Sequence, residues 1–249
     1  MKIAEDILKI LAECRIENNT LFLPPEQLDR KTYVAVNKCL ENIGGKWNRK
    51  AKGHVFDDDP TEAFDNLIIT GETEDMKKTF QFFPTPRAVA EIVCDMAELK
   101  QSSRVLEPSA GKGDLADAIF ERSKTVYCYE INKKMCRDLD EKPYTLLACC
   151  DFLVVKPTEQ QPFDRVVMNP PFSRQQDIDH ICHAYEFLKS GGILVSLISL
   201  APFFRMNEKS VKFREWLEEH NAETIDVPAG AFKESGTMIP TKIVKIKKR

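Results

Sequence analysis

The sequence predicts an α/β protein: a doubly wound parallel sheet of seven strands that follows a small N-terminal α+β module. From Val105 onward, short apolar runs alternate with amphipathic stretches, as strands and helices do in a parallel sheet. Glycines at 111 and 113 separate the first of these runs from the next amphipathic stretch, which is typical of a strand–turn–helix unit. Residues 1–75 lack this alternation, so we assign them to the module and residues 76–249 to the sheet domain.

Seven apolar runs are predicted to form the strands of the sheet. They span residues 104–106, 125–129, 145–148, 165–168, 192–199, 222–227 and 242–247. Helices are expected between them and before the first, where apolar residues recur at spacings of three and four. The clearest helical stretches are residues 87–99, 114–123, 180–189 and 208–220.

In the module, the pattern predicts three helices and one basic hairpin. A helix at the start precedes a polar connection around residues 23–25, and a second helix covers residues 31–43. Residues 46–56 are predicted to form the hairpin, and the acidic run at 57–59 to cap a third helix. The boundary with the sheet domain is expected within residues 71–78.

Composition is that of a globular protein with one large core. The 249 residues are 43% hydrophobic and 30% charged. No apolar run approaches the ~20 residues that span a bilayer, and the first six residues are too acidic for a signal peptide. The 8 cysteines include no Cys-x-x-Cys pair, which favours buried thiols in a reducing compartment over a structural zinc. We expect a cytoplasmic protein with no membrane contact and no metal.

A glycine turn follows the first strand and predicts a ligand site. Gly111 and Gly113 allow close approach of a ligand to the start of a helix. Position 116 is Ala and Lys112 precedes another glycine, so the dinucleotide and phosphate-loop patterns both fit poorly. Glu107 in this turn would repel a phosphate but attract the ammonium of an amino-acid moiety.

Two further acids end the next strands. Glu130 is placed to accept hydrogen bonds from both ribose hydroxyls, and Asp151 to accept one from an adenine amine while Phe152 packs on its ring. Each acid by itself is more typical of a solvated loop. Because Glu107, Glu130 and Asp151 all lie at strand ends on one edge of the sheet, together they predict one ligand site.

The motif Asn169-Pro170-Pro171-Phe172 directly follows the apolar run at 163–168 and is the most informative feature of the chain. The two prolines fix the backbone in an extended shape. The Asn169 side-chain oxygen and a proline carbonyl can then accept both hydrogens of a planar amine, while Phe172 offers a ring for stacking. A proline-rich turn would explain Asn-Pro alone, but the full motif after a strand indicates action on an exocyclic amine.

In their order, these motifs resemble those of the S-adenosylmethionine-dependent adenine-N6 DNA methyltransferases of the gamma group. The resemblance covers residues 80–249 and includes Phe83-Pro84-Thr85-Pro86, which is similar to the segment that holds the methionine carboxylate. It implies a class I methyltransferase, Rossmann-like fold with a seven-stranded, mostly parallel sheet whose last strand is antiparallel. It also implies S-adenosylmethionine as the cofactor, S-adenosylhomocysteine as the product, and the N6 amine of a flipped-out adenine as the target.

The motifs and the resemblance together predict two sets of site residues. The catalytic set is Asn169, Pro170, Pro171 and Phe172. The cofactor-binding set is Phe83, Thr85, Pro86, Glu107, Pro108, Ser109, Ala110, Gly111, Gly113, Asp114, Glu130, Ile131, Asp151, Phe152 and Asn169.

Double-stranded DNA is the expected partner, and its contacts must be local because the net charge is −3. The gamma-group methyltransferases that this chain resembles carry a large target-recognition region after the catalytic domain, whereas this chain stops at the last strand. Base specificity is therefore expected from the N-terminal module, with its hairpin as the best candidate, from the loop after Phe172, from a partner, or not at all. Residues 28–71 are similar to modules of phage- and plasmid-borne adenine methyltransferases. The predicted contact residues are Lys46, Trp47, Asn48, Arg49, Lys50, Lys52, His54, Ser173 and Arg174. A solvated basic turn is the alternative for the hairpin.

Other interpretations remain open at this stage. An RNA adenine methyltransferase could use the same clamp, and a protein-glutamine methyltransferase acts on a similar planar nitrogen but usually ends its motif with Tyr. A DNA-binding protein without activity is a third alternative. The spacing of His180 and His183 resembles a metal site, yet without a further ligand it indicates a helix face. Loops at 173–179 and 230–240 could close over or touch the substrate.

Overall fold

The computed structural model describes residues 3–56, 59–71, 84–227 and 241–249. The N-terminal elements are α1 (Glu5–Ala12), β1 (Arg15–Glu17), β2 (Thr20–Phe22), α2 (Arg30–Asn42), β3 (Lys46–Asn48), β4 (Gly53–Val55) and α3 (Thr61–Thr70). They are followed by α4 (Arg87–Met96), β5 (Arg104–Glu107), α5 (Asp114–Arg122), β6 (Thr125–Glu130), α6 (Lys133–Asp140), β7 (Thr145–Cys149) and β8 (Phe163–Met168). The last elements are α7 (Gln176–Glu186), β9 (Leu188–Ser199), α8 (Ala201–Phe204), α9 (Glu208–Glu219), β10 (Glu223–Asp226) and β11 (Thr241–Lys247).

The larger sheet has seven strands in the order β10-β11-β9-β8-β5-β6-β7. Strands β5 to β9 pair in parallel, whereas β11 is antiparallel to both β9 and β10. The prediction of a doubly wound, mostly parallel seven-stranded sheet with an antiparallel last strand is therefore confirmed. Because β5 lies between β6 and β8, the chain reverses its direction across the sheet at β5, and the crevice at the strands' C-terminal ends is where such folds bind ligands.

Helices cover both faces of this sheet. Neighbouring residues on a strand point to opposite faces, so Val105 packs with α4 and α5 while Leu106 packs with α7 and α9. Both faces are therefore apolar, as expected for parallel strands that are buried on two sides.

The predicted helix at 180–189 is wrong at both ends. Helix α7 begins at Gln176, immediately after Gln175, whose backbone is left-handed with φ 56°. It ends at Glu186 because Leu188 already pairs with Phe163 at the start of β9. Helix α6 fills the gap between two predicted strands, as expected, and Asn132 caps it by accepting hydrogen bonds from Lys134 N and Met135 N.

The N-terminal elements form a second, antiparallel sheet in the order β1-β2-β4-β3. The hairpin of β3 and β4 is present, but the sequence analysis missed β1 and β2. These strands are joined through Asn18 and Asn19, with Asn18 at φ 53°, a turn conformation that asparagine tolerates well. Leu200, which follows β9, packs into the apolar core of these elements. The expected boundary residues 72–78 lie outside the described residues.

The cysteines differ in part from the expectation of free thiols. Cys136 in α6 and Cys149 at the end of β7 form a disulfide with a Cα–Cα distance of 5.9 Å. The other cysteines are free, and four of them are buried. Within the described ranges, no helix combines the length and the apolar character that a membrane crossing needs.

Candidate active site

A cavity of about 660 Å³ opens at the C-terminal ends of β5, β6 and β8. We call its two walls the glycine-turn side, formed by residues 107–111, 114, 130–132, 135 and 150–152, and the proline-motif side, formed by Thr85 and residues 169–174 and 176. The predicted site residues that line the cavity are Thr85, Glu107, Pro108, Ser109, Ala110, Gly111, Asp114, Glu130, Ile131, Asp151, Phe152, Asn169, Pro170, Pro171, Phe172, Ser173 and Arg174.

Three residues of the predicted cofactor set are not among the lining residues. Phe83 lies outside the described residues, and Pro86 immediately precedes α4. Gly113 packs against a neighbouring side chain. It adopts φ +91°, and a Cβ there would lie 1.9 Å from the Tyr144 hydroxyl oxygen. Packing against Tyr144 and the left-handed backbone therefore both favour glycine at this position.

The cavity also contains residues that the sequence analysis missed: Asn66, Leu115, Asn132, Met135, Cys150, Gln176 and His180. Asn132 and Met135 follow the predicted Glu130, and recognising Asn132 as a helix cap could have identified them. Asn66 comes from α3, far away in sequence, and carries no local pattern that points to the cavity.

Glu130 holds the glycine turn in place. Its Oε2 accepts a hydrogen bond from the Gly111 amide at 2.7 Å, and its Oε1 accepts one from the Asn132 amide at 2.8 Å. Gly111 has φ +58°, a conformation that favours glycine. Since each carboxylate oxygen has two lone pairs, Glu130 keeps the capacity to accept from ligand hydroxyls as well.

Glu107 is a buried acid at the bottom of the glycine-turn side, with only 1% of its surface exposed. Burial, followed by the negative charges of Asp114 and Glu130, raises the pKa of this carboxyl well above its usual range. Its Oε2 has no hydrogen-bond partner among the described residues. A buried acceptor without a donor is unfavourable, and a ligand ammonium in the cavity would supply both the donor and the opposite charge.

Asn169 is oriented by a residue that lies 84 positions away in the sequence. Its Nδ2 donates a hydrogen bond to Thr85 Oγ1 at 3.1 Å, so Thr85 supports the proline motif. Because the amino end of the amide is engaged with Thr85, the carbonyl end is the part suited to accept hydrogens from a ligand. Phe172 lines the cavity but has only 5% of its surface exposed, so only part of its ring can face a ligand.

Asp151, Phe152 and the two histidines form the outer part of the glycine-turn side. Asp151 Oδ1 accepts from Leu153 N at 3.0 Å, and the Phe152 ring lies 6.1 Å from the His180 ring. His180 Nδ1 is 3.3 Å from Ser109 Oγ, and burial lowers the pKa of His180 to about 4, so the ring is neutral at pH 7. His183 Nε2 contacts Val155 O at 2.9 Å. Both histidines thus pack α7 against this wall, as a helix face does.

Across the described ranges, no group of three or more His, Cys, Asp or Glu is arranged to hold a metal ion.

The loop after Phe172 is anchored rather than open. Arg174 and Gln175 are both left-handed, with φ 52° and 56°. Gln175 is buried, donates to Ser210 Oγ at 2.6 Å and accepts from Asn207 Nδ2 at 3.0 Å. Asp177 is also buried and accepts from the amide and the hydroxyl of Ser199. This differs from the expected loop that closes over a substrate. The other loop considered, at 230–240, lies outside the described residues.

The basic hairpin lies apart from the cavity lining. Its predicted contact residues are exposed except for His54, and Trp47 on the edge strand β3 has 45% of its surface exposed. His54 does not fit the prediction, because it is fully buried and its Nε2 lies 2.8 Å from Asn37 Oδ1. Asn48 accepts from the amides of Lys50 and Ala51 and so shapes the turn itself.

Comparison with known proteins supports this description of the fold. Residues 73–148, which include the glycine turn and Glu130, match the family model described as ribosomal RNA adenine dimethylase. A type I restriction-modification methyltransferase subunit from Streptococcus thermophilus is similar, with a TM-score of 0.58 and 22% identity over 88% of this chain and 54% of its own. The chain thus spans about half the length of that subunit.

Two further solved structures share the fold. A modification subunit assigned to a type I restriction enzyme from Vibrio vulnificus has a TM-score of 0.56 and 14% identity over 98% of this chain and 65% of its own. A dimethyladenosine transferase from Plasmodium falciparum has a TM-score of 0.51 and 15% identity over 67% and 64%, respectively. The fold is that of the class I S-adenosylmethionine-dependent methyltransferases. These similarities support S-adenosylmethionine as the cofactor.

Proposed function

We propose that this chain is a DNA methyltransferase that transfers a methyl group from S-adenosylmethionine to the N6 amine of an adenine flipped out of the duplex. The observation that carries the proposal is the position of Asn169. Its amide is oriented by Thr85 in a motif that shares one cavity with the acids Glu107 and Glu130. Asn169, as the proposed amine acceptor, and the acids proposed to bind an amino-acid and ribose ligand therefore line the same cavity.

The glycine-turn side fits the cofactor group by group. Glu107 would bind the ammonium, and Glu130 would accept from the ribose hydroxyls in addition to the two backbone amides that it already holds. Asp151 and Phe152 would contact the adenine, and Ile131, which is 58% exposed, would cover it. When bound, S-adenosylmethionine supplies an electrophilic methyl group on a sulfonium.

The proline-motif side would activate the target amine. The lone pair of an aryl amine is delocalised into the ring, so the nitrogen is a poor nucleophile. If Asn169 Oδ1 and the Pro170 carbonyl accept its two hydrogens, the nitrogen is favoured in a more pyramidal form with its lone pair available. Because the two prolines fix the backbone, these acceptors need no rearrangement as positive charge develops on the nitrogen.

Methyl transfer from the sulfonium to the amine nitrogen requires no further reactant. The nitrogen lone pair forms the bond to the methyl carbon, and the carbon–sulfur bond breaks with its electron pair on sulfur. One of the two hydrogens held by Asn169 and Pro170 then leaves as a proton to solvent, which restores a neutral, methylated amine. The target must leave the base stack to enter the cavity, which is how enzymes reach such atoms in duplex DNA.

We further propose that residues 1–75 form a DNA-recognition module and residues 76–249 the catalytic domain. Exposed cations on the hairpin surround Trp47, which combines contacts to phosphates with a ring that can contact bases. His54 is excluded from this role because it is buried.

The test is to incubate the purified chain with S-adenosylmethionine carrying a labelled methyl group and with duplex DNA of mixed sequence. We expect label on N6 of adenine, identified by nuclease digestion and mass spectrometry of the nucleosides. Label on cytosine, on protein, or on no polymer at all would contradict the proposal.

An adenine methyltransferase acting on RNA is the second candidate, because residues 73–148 match the ribosomal RNA adenine dimethylase model. That segment ends before Asn169 and therefore includes the cofactor region but not the proline motif. Parallel incubations with single-stranded RNA and with folded ribosomal RNA distinguish the two. Label on RNA adenine with none on DNA would replace the first proposal by the second.

A further inference from the structure

Helix α3 brings one residue of the N-terminal part to the cavity. Asn66 is half-buried and lines the cavity together with Asn169, Phe172 and Ser173. Every other lining residue within the described ranges comes from Thr85 or later in the chain. Asn66 is therefore the point at which the described N-terminal elements reach the proposed active site.

The face of α3 that carries Asn66 is directed towards the proline-motif side. One face of this helix packs in the core of the N-terminal elements, whereas Ile69 packs in the core of the large sheet, which also contains Phe172. Residues three apart on a helix lie on the same face, so Asn66 shares the face of Ile69. The helix also packs against the turn at 173–175, directly after the proline motif. Asn66 thus lies near the wall that is proposed to bind the target amine.

A buried ion pair holds α3 at the residue before Asn66. Arg205 Nη1 donates a hydrogen bond to Asp65 Oδ2 at 3.1 Å, and Nη2 contacts Oδ1. Only 4% of the surface of Asp65 and 1% of that of Arg205 is exposed. The backbone carbonyl of Arg205 in turn accepts from Arg214 Nη1 in α9 at 2.8 Å. Because α3 is fastened to the sheet domain in this way, Asn66 is positioned before any ligand binds, which lowers the cost of using it.

The side chain of Asn66 has the chemistry to recognise a ring nitrogen of a purine. A primary amide carries two donors and one acceptor, and asparagine recognises adenine in DNA through its amine and N7. In the proposed clamp, both hydrogens of the target amine are accepted by Asn169 and the Pro170 carbonyl. The ring nitrogens on the two sides of that amine, N1 and N7, are both acceptors, so an amide donor is the group that suits them.

We propose that Asn66 is a specificity-determining residue: its amide donates a hydrogen bond to a ring nitrogen next to the target amine, N1 or N7 of the adenine. This inference rests on the proposed methyltransferase function and gives the N-terminal part a role in the choice of base. Cytosine has a ring nitrogen on one side of its amine and a C–H group on the other. A contact at N7 would therefore favour adenine over cytosine, whereas a contact at N1 would not.

The experiment combines variants of Asn66 with analogues of the target base. The methylated adenine of the mixed-sequence duplex is located first, and duplexes are then made with 7-deazaadenine or 1-deazaadenine at that position. Each analogue replaces one ring nitrogen by a C–H group. It also changes the reactivity of the amine, but this change is the same for every protein variant and cancels when the variants are compared on one base.

Single-turnover methylation gives the comparison. Asn66→Leu keeps a similar shape but has no donor, and on adenine we expect it to be about tenfold slower than the wild type. On the analogue that lacks the contacted nitrogen, the two proteins should be equally slow. On the other analogue, the tenfold difference should remain. The analogue that removes the difference thus identifies the nitrogen.

The remaining variants separate recognition from folding. Asn66→Ala should show the same pattern as Asn66→Leu, and both should keep the wild-type affinity for S-adenosylhomocysteine. Ala63→Ser, at an exposed position of α3, is the control and should match the wild type on all three bases. A difference between wild type and both Asn66 variants that persists on both analogues would reduce Asn66 to a structural residue and overturn the inference. Equal rates on adenine would overturn it as well, and so would wild-type methylation of both analogues at the rate of adenine, even if neither variant folds.

Failure of this inference can be told apart from failure of the proposed function. If the wild type methylates neither DNA nor RNA, the proposed function fails and the inference fails with it. If the wild type methylates adenine and the analogues do not separate the variants, only the inference about Asn66 fails. If RNA is the polymer that is methylated, the analogues are placed in RNA, where N1 and N7 are the same atoms, and the same outcomes decide.

Discussion

The two sides of the cavity are held together by contacts of very different range. On the glycine-turn side, Gly111 and Glu130 are 19 residues apart and belong to successive strand ends. On the proline-motif side, the supporting contacts join Asn169 to Thr85 across 84 residues and Arg205 to Asp65 across 140. The first wall is built by one supersecondary unit, whereas the second forms only when distant parts of the chain have docked.

This difference has a thermodynamic consequence. The glycine-turn wall depends on a few hydrogen bonds within the sheet core, and it should persist as long as the sheet does. The proline-motif wall depends on the packing of α3 and the segment before α4 onto the sheet, so local opening can perturb it separately. Substitutions on the two sides should therefore separate binding of the cofactor from transfer of the methyl group.

The largest effect should come from Asn169→Ala. Loss of the acceptor for the target amine should lower the methylation rate by about 10³-fold, comparable with the removal of one oriented group from a transition-state site. Affinity for S-adenosylhomocysteine, measured by calorimetry, should change little because Glu107 and Glu130 remain. Wild-type activity in this variant would remove the proposed clamp from the mechanism.

A substitution next to the glycine turn should lower the stability of the fold rather than the methylation rate. Gly113→Ala places a Cβ against the Tyr144 hydroxyl in a left-handed backbone, so we expect a loss of about 3 kcal/mol in the free energy of unfolding. Urea unfolding measures it. With Tyr144→Phe as the background, about half of the loss should disappear, because the clash with the hydroxyl is gone and the backbone strain stays. Equal losses in both backgrounds would contradict the packing role of Gly113.

Thr85→Val should produce a smaller change on the proline-motif side. It removes the hydroxyl that accepts from Asn169 Nδ2 but nearly preserves the shape of the side chain. We expect the single-turnover rate to fall about tenfold, by one lost hydrogen bond to a buried amide. Thr85→Ser keeps the hydroxyl and should remain within about twofold of wild type. A larger loss in the serine variant than in the valine variant would show that Thr85 acts by packing.

The pH dependence of cofactor binding should reveal Glu107. In the free protein its raised pKa favours the protonated carboxyl, whereas a bound ammonium favours the carboxylate and lowers that pKa. Binding should therefore release a proton, and the affinity should rise with pH until the pH exceeds the raised pKa. Calorimetry in buffers of different ionisation enthalpy measures this proton, and Glu107→Gln should abolish it. Proton uptake on binding would contradict the assignment.

The smallest effect is expected at the hairpin. Replacing Arg49 and Lys50 by Ala should weaken duplex binding and reduce the slope of log affinity against log salt by about two, one for each lost phosphate contact. Cofactor affinity should not change. Lys212→Ala, an exposed lysine on α9, is the matched control and should leave the slope unaltered. An unchanged slope in the hairpin variant would place the DNA contact elsewhere.

The range of the contacts also explains which parts of the molecule could be predicted from sequence. All seven strands of the large sheet were predicted. The central strands are short apolar runs because they are buried on two faces, which leaves a local pattern in the sequence. Glu107 and Glu130 were predicted to share a ligand site for the same reason, and both line the cavity. Strand ends and turn glycines are properties of neighbouring residues.

Long-range partners left no such pattern. Nothing near Asn66 or Asp65 in the sequence indicates a contact with the cavity or with Arg205. The burial of His54 follows only from the way α2 covers the hairpin through Asn37. The strands β1 and β2 have three residues each, too few to show an alternation, and unlike the equally short β3 and β4 they do not flank a basic turn that marks a hairpin. Asn18 and Asn19, which join the two strands, are the sequence feature that could have indicated a turn there.

The shared core around Leu200 limits how this protein can be divided for engineering. A fragment beginning at α4 would expose Leu200 and Phe204 to water and leave the guanidinium of Arg205 without its carboxylate. Grafting a foreign recognition unit onto this scaffold would therefore succeed only if α3 stays with the recipient, and the useful junction for such a chimera lies before Thr61 rather than in the connection that follows Gly71.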